Sequence, residues 1–294
     1  MTDTDTRPLP PVPTFPFSMF DPIHLGQDEY GEPVYVNLAE RNMLLGGEPG
    51  AGKSSGLNLI TAHGALSYDC KLILVDGKQV ELGLWRACAD VFIGPSIQDA
   101  IAAFTEFQQI MNTRYDNLLA AGRRKITRDD GQHIYLVVID EYAYFSATVG
   151  TKKEREDFAA LTRDLVARGR AAGVILILAT QRPSHQVIDP SMRDLFGYRW
   201  AFRCSTEASS DTILGHGWAN MGYSATEIDP KARGVGWLRA EDGIPRRVKA
   251  AYLTDDDIIH LAAWAAQARA RQVADQAPDT GGTVIPLHGK DDAA

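Results

Sequence analysis

The sequence predicts an α/β fold of the P-loop NTPase class, with a mostly parallel central sheet flanked by helices. Three observations carry this. Short, wholly apolar segments alternate with helical patterns, a turn of the form G-x-x-x-x-G-K-S follows one of these segments, and a second segment ends in two carboxylates. The 294 residues suffice for one large α/β domain or two small ones. With 45% hydrophobic and 23% charged residues, the composition is that of a globular chain. A net charge of −8 and a pI near 5.4 exclude a polycation that coats nucleic acid, so any such contact must be local. Cys70, Cys88 and Cys204 stand far apart and suggest neither a disulfide framework nor a zinc site, which fits a reducing, cytoplasmic setting. The longest apolar stretch, from Val174 to Ala179, is far below the ~20 residues a membrane span needs. The N-terminus lacks the basic and apolar regions of a secretory signal.

In chain order, residues 1–18 carry five prolines and read as a disordered, extended arm outside the core. Leu25 to Leu38 reads as a hairpin turning at Gly31, and Met43-Leu-Leu as a strand running into the glycine-rich turn. A helix is expected over 53–67 and a buried strand over 71–75, stopped by Asp76-Gly77. Ile97, Ile101, Phe104, Phe107, Met111, Tyr115 and Leu118 recur at three- and four-residue spacing, the mark of a long amphipathic helix. An apolar strand over 134–139, a charged helix over 152–170 and a strand over 174–179 follow. This alternation implies parallel strands covered on both faces. Further strands are expected at 197–203, 234–239 and 246–252. The patterned region of 19–254 closes with a helix over 255–277 that starts after Thr254 as N-cap, then a loose tail over 278–294.

The segment Gly47-Glu48-Pro49-Gly50-Ala51-Gly52-Lys53-Ser54, with Ser55 after it, lies between a strand and a helix, the context a P-loop requires. Its glycines let backbone N–H groups converge on phosphate oxygens at a helix N-terminus. Lys53 would neutralise the β- and γ-phosphates of ATP, and Ser54 would ligate Mg²⁺. At the end of Tyr135-Leu-Val-Val-Ile-Asp140-Glu141, Asp140 would hold Mg²⁺ through water, and Glu141 would polarise the attacking water as general base. An acidic pair at a strand end favours hydrolysis over a kinase. Gln181 ends the next strand and would emerge beside the nucleotide, where its amide can sense the γ-phosphate.

Arg170, near the end of the charged helix, has two readings. It complements the helix dipole, or it is an arginine finger reaching a neighbouring subunit's γ-phosphate. Arg123-Arg-Lys125 with Arg128 is the densest basic cluster, either a solvated loop or a site of phosphate-backbone contact. Arg246-Arg247 is a weaker candidate.

Several stretches together resemble the FtsK/SpoIIIE DNA translocase motor. They are Leu25 to Val34, Val75-Asp-Gly-Lys78 with Val80-Glu-Leu82, Met111-Asn-Thr-Arg114-Tyr115, Val138 to Glu141, Arg170 to Ser184, Ala201-Phe-Arg203 and Ser210 to Gly215, in the family's order. The resemblance implies a RecA-like motor over 19–254 that assembles as a homo-hexameric ring and moves double-stranded DNA at the expense of ATP. Asp76-Gly-Lys78 departs from the commoner Asp-Pro-Lys, and residues 254–294 are too short for the family's winged-helix DNA reader. The resemblance therefore implies a minimal motor, similar to the short FtsK-like transfer proteins of actinobacterial conjugative plasmids and integrative elements. Such a motor would be cytoplasmic and reach a membrane only through a membrane-bound transfer or division partner. The competing reading is a ring ATPase of a secretion or coupling system that acts on protein.

Overall fold

The apolar runs become neighbouring strands of one sheet in the computed structural model, which describes residues 14–240 and 243–276. The strands are β1 (Ile23–Asp28), β2 (Pro33–Val36), β3 (Met43–Gly46), β4 (Cys70–Val75), β5 (Val91–Ile93), β6 (Ile134–Ile139), β7 (Val174–Thr180), β8 (Tyr198–Phe202), β9 (Val235–Ala240) and β10 (Arg246–Ala250). The helices are α1 (Lys53–Ala65), α2 (Ile97–Ala120), α3 (Lys152–Arg168), α4 (Pro190–Arg193), α5 (Glu207–Leu214) and α6 (Asp255–Gln276). The sheet runs β2-β1-β10-β9-β8-β3-β7-β6-β4-β5. From β8 to β5 every pairing is parallel, and from β8 outward to β2 every pairing is antiparallel. The hairpin expected near the N-terminus thus extends the same sheet.

Strand side chains alternate between the two faces. Leu72 and Leu74 of β4 lie in the layer that holds Leu57 and Ile60 of α1, whereas Ile73 and Val75 lie with Phe104 of α2 and Phe158 of α3. Every residue of β7 is buried, as expected for a central parallel strand. Phe104 and Phe158 pack ring against ring at 4.9 Å, and truncating either to Ala costs about 3–5 kcal/mol.

Two polar side chains pin these layers. Asn42 is fully buried; its amide donates to the Val166 carbonyl and accepts from the Leu176 N–H, both at 2.8 Å. Arg114 donates to the carbonyls of Ala172 (2.7 Å) and His133 (2.8 Å) and lies over the Tyr135 ring. The α2 motif that contributed to the resemblance is therefore a structural rivet between α2 and the starts of β6 and β7.

Some boundaries differ from expectation. The first helix ends at Ala65 rather than 67, where the Leu66 and Ser67 N–H groups bond back to the Ala62 and Gly64 carbonyls. The charged helix ends at Arg168, and a 3₁₀ turn over Gly169–Ala172 leads into Gly173 at φ +69°. Elements not anticipated include β5, α4, α5 and a π-helical turn at Tyr144–Thr148 just after Glu141. Of the extended arm, residues 1–13 lie outside the described residues, but Phe17 and Ser18 are docked rather than loose. Phe17 bridges Ser67 and stacks on His63 at 5.1 Å, while the Ser18 hydroxyl donates to Asp69 at 2.6 Å. The tail over 278–294 also lies outside the described residues.

Candidate nucleotide site

Gly47 to Gly52 form a loop between β3 and α1 at the carboxyl edge of the parallel strands. Gly50 and Gly52 both have positive φ, +77° and +93°, a region L side chains rarely adopt. At Gly52 space forbids a side chain as well, since an added Cβ would sit 2.1 Å from the Gly234 nitrogen. The two segments are joined there, because the Gly234 N–H donates to the Ala51 carbonyl at 2.9 Å. The loop is also tied to β8: the Glu48 N–H donates to the Arg203 carbonyl at 3.0 Å, and the two side chains form an ion pair.

Lys53 is buried, and its Nζ donates to Asp140 Oδ1 at 2.8 Å and to the Asp140 carbonyl at 3.0 Å. β6 pairs in parallel with β7, which pairs in parallel with β3, and the end of β6 comes beside the start of α1, so the Lys53 and Asp140 expectations converge on one place. Asp140 Oδ2 is buried with no hydrogen-bond partner. An orphaned carboxylate oxygen is costly, and beside the half-buried Ser54 hydroxyl it gives two hard oxygen donors of the kind Mg²⁺ takes. The residues present therefore fit that ion.

Glu141 is held from β7. Its Oε1 accepts from the Thr180 hydroxyl at 2.7 Å and from the Ala143 N–H at 3.3 Å, and its Oε2 accepts from the Gln181 N–H at 2.9 Å. Thr180 is a partner that sequence reasoning missed, and its place just before Gln181 was the available signal. Gln181 itself sits where three cavities meet, facing the P-loop, the Pro183–Ser184 turn and the Glu141 side.

The largest of these cavities, about 660 Å³, is lined by Glu48, Pro49, Gly50, Gly52, Lys53, Ser54 and Ser55 with Gln181. Glu81, Arg233, Lys249 and Tyr252 complete its wall. None of these four was anticipated: no local motif marks Arg233, Lys249 and Tyr252, which reach the pocket through the late strands β9 and β10, or Glu81 in the segment after β4.

Two candidates lie elsewhere. Arg170 stands before the start of β7, at the opposite end of that strand from Gln181, so it cannot serve the pocket of its own chain; it lines a polar depression with Asn37 and Arg41. Three of the four basic side chains of the cluster are paired: Arg123 bonds Asp130, Lys125 pairs with Glu40 at 2.5 Å, and Arg128 pairs with Asp21 at 2.5 Å. The Arg128 guanidinium in turn holds the Asp21 carboxyl below the usual carboxylate range. These pairings give the cluster a structural role, fixing the loop and the N-terminal segment. Burial raises the thiols of Cys70 and Cys204 to about 12 and that of Cys88 to about 11, which makes all three poor nucleophiles.

Among the described residues, no helix is long and apolar enough to cross a membrane. Residues 18–145 match the sequence model of the FtsK/SpoIIIE family. The chain is 28% identical over 281 residues to the DNA translocase FtsK of Pseudomonas aeruginosa, a match that covers 83% of this chain and 33% of that protein. It thus spans about a third of the length of the curated relatives it matches. Two solved structures share its fold. The conjugation coupling protein TcpA of pCW3, solved with ATPγS, gives a TM-score of 0.67 at 21% identity over 85% of this chain and 72% of that one. The cytoplasmic domain of the Type VII secretion ATPase EccC of Thermomonospora curvata gives 0.66 at 21% identity over 88% of this chain and 32% of that one. The motif order along the sequence, the contact of the P-loop Lys53 with the acidic strand end at Asp140, and the match over residues 18–145 bear out the resemblance to the FtsK/SpoIIIE family on a P-loop ATPase fold.

Proposed function

We propose that this chain hydrolyses ATP and couples the hydrolysis to movement of double-stranded DNA, as part of a homo-hexameric ring serving conjugative transfer or mobile-element transport. The observation that carries the reading is the linked set at the P-loop cavity, which Lys53 and Gln181 line while Lys53 bonds Asp140 and the Gln181 N–H bonds Glu141, in a chain whose named relatives are DNA translocases.

In this reading the glycine loop and the N-terminus of α1 bind the phosphates through backbone N–H groups. The Lys53 ammonium, which now rests on Asp140, neutralises the β- and γ-phosphates. Ser54 and, through water, Asp140 would hold Mg²⁺, which would supply neutralisation of the phosphate charge. Glu141, fixed in orientation by Thr180 and the Gln181 N–H, accepts the proton of the attacking water. The Gln181 side chain reports the presence of the γ-phosphate to the neighbouring turn. Arg170 acts on a neighbouring subunit's nucleotide, which makes turnover depend on assembly. A membrane is reached through a partner protein.

The test is the ATPase rate with and without linear double-stranded DNA across salt concentrations, beside Glu141→Gln. A several-fold, salt-sensitive stimulation that the variant lacks supports the reading. Hydrolysis that ignores DNA overturns the DNA part and moves the chain to a ring ATPase acting on protein.

A further inference from the structure

The cavity beside the P-loop has two ends of different character. One is the phosphate end, made of Gly50, Gly52, Lys53, Ser54 and Ser55. The other comes from the antiparallel extension, where Arg233, Lys249, Ala250 and Tyr252 line the wall. That wall is fixed relative to the phosphate end by main-chain bonds. The Gly234 N–H reaches the Ala51 carbonyl at 2.9 Å, the Ala250 N–H reaches the Gly234 carbonyl at 2.8 Å, and the Lys249 ammonium bonds the Arg233 carbonyl. Tyr252 follows two residues after β10. It is 73% exposed, and among the described residues neither its ring nor its hydroxyl engages a partner. A large aromatic ring left to water in the wall of a cavity the size of a nucleotide is an unused π-surface.

We propose that Tyr252 is the base platform of the nucleotide site, its ring stacking on the adenine of a nucleotide whose phosphates occupy the P-loop. This rests on the nucleotide reading above and deepens it by assigning the nucleoside end. Stacking uses the face of a base rather than its edge, so the platform contributes affinity for any nucleoside triphosphate and none for bare triphosphate. It also follows directly on the strand pair that is hydrogen-bonded to the loop, so one connected unit presents both ends of the site.

The experiment measures, by calorimetry with Mg²⁺ present, the Kd of ATPγS and of inorganic tripolyphosphate for the wild-type chain, Tyr252→Ala and Tyr252→Phe. The expected result is a loss of about tenfold or more in ATPγS affinity for Tyr252→Ala, wild-type affinity for Tyr252→Phe, and an unchanged Kd for tripolyphosphate in all three. Unchanged ATPγS binding in Tyr252→Ala overturns the platform. So does an equal loss for tripolyphosphate, since a base contact cannot be felt by a ligand without a base. Absence of ATPγS binding to the wild-type chain would instead sink the nucleotide reading itself, an outcome distinct from failure of the platform.

Discussion

Glu141 is 8% exposed and receives three hydrogen bonds, two of them from the end of β7. A carboxylate so held has a fixed orientation, which the proposed mechanism uses to turn one lone pair to the attacking water. Removing the charge by Glu141→Gln should lower kcat by about 10²–10⁴-fold while ATPγS binding persists, as read by steady-state turnover and calorimetry. Thr180→Val removes the shortest of the three bonds and should cost about 1–2 kcal/mol of stability in urea melts as well as turnover, because Glu141 then loses its lateral support. His63 provides a different kind of residue-scale test. It is buried between Phe17 and the Ser18 carbonyl, which accepts its Nε2 proton at 3.0 Å, and burial pushes its pKa below the usual 6.5. The unfolded chain therefore takes up this proton first as pH falls. Stability should drop as pH goes below about 6.5, and His63→Gln should flatten that part of the curve measured by Tm against pH.

At the scale of elements, the glycine loop is shaped by two different demands. Gly50 needs positive φ but faces open space, whereas Gly52 needs positive φ and also meets the Gly234 backbone. Gly50→Ala should therefore cost about 1 kcal/mol of local strain. Gly52→Ala must push β9 away from the loop, and is expected to abolish ATPγS binding and lower Tm further than Gly50→Ala does. The same elements explain what was legible in the sequence. The strand-loop-helix around Lys53 and the strand ending at Asp140-Glu141 were readable because local spacing alone places their side chains at a strand end. β5 was missed because three residues carry no periodicity, and α5 because Thr206 as N-cap and an eight-residue helix leave only a faint pattern. Arg233, Lys249 and Tyr252 were invisible for another reason, since they reach the cavity through long-range pairing of the sheet. The pairing of the basic run at 123–128 was not legible because its counter-charges, Glu40, Asp21 and Asp130, are mostly remote in sequence.

For the whole molecule, the sheet divides labour. Its parallel half carries Lys53, Asp140, Glu141 and Gln181, and its antiparallel half closes the other wall of the pocket. Arg170 and the 123–128 loop sit together at the far edge, where the Ile126 N–H bonds the Ala171 carbonyl at 2.9 Å. Charge reversal at Lys125 and Arg128 should therefore loosen the N-terminal segment, seen as faster proteolysis near Phe17, and leave the salt-sensitive DNA stimulation in place. α6 clasps the molecule from outside. Its Arg269 donates to the carbonyls of Cys70 (3.2 Å) and Gly64 (3.1 Å) and pairs with Asp90 at 2.5 Å.

The bond from Gly234 to Ala51 also has a consequence for biosynthesis. A nascent chain leaves the ribosome with its phosphate loop early and with β9, β10 and Tyr252 late. Until those last strands have emerged and added themselves to the sheet, the loop lacks the backbone against which Gly52 is seated. The chain therefore passes most of its synthesis unable to grip a nucleotide, and it becomes competent only once β10 and Tyr252 are clear of the exit tunnel.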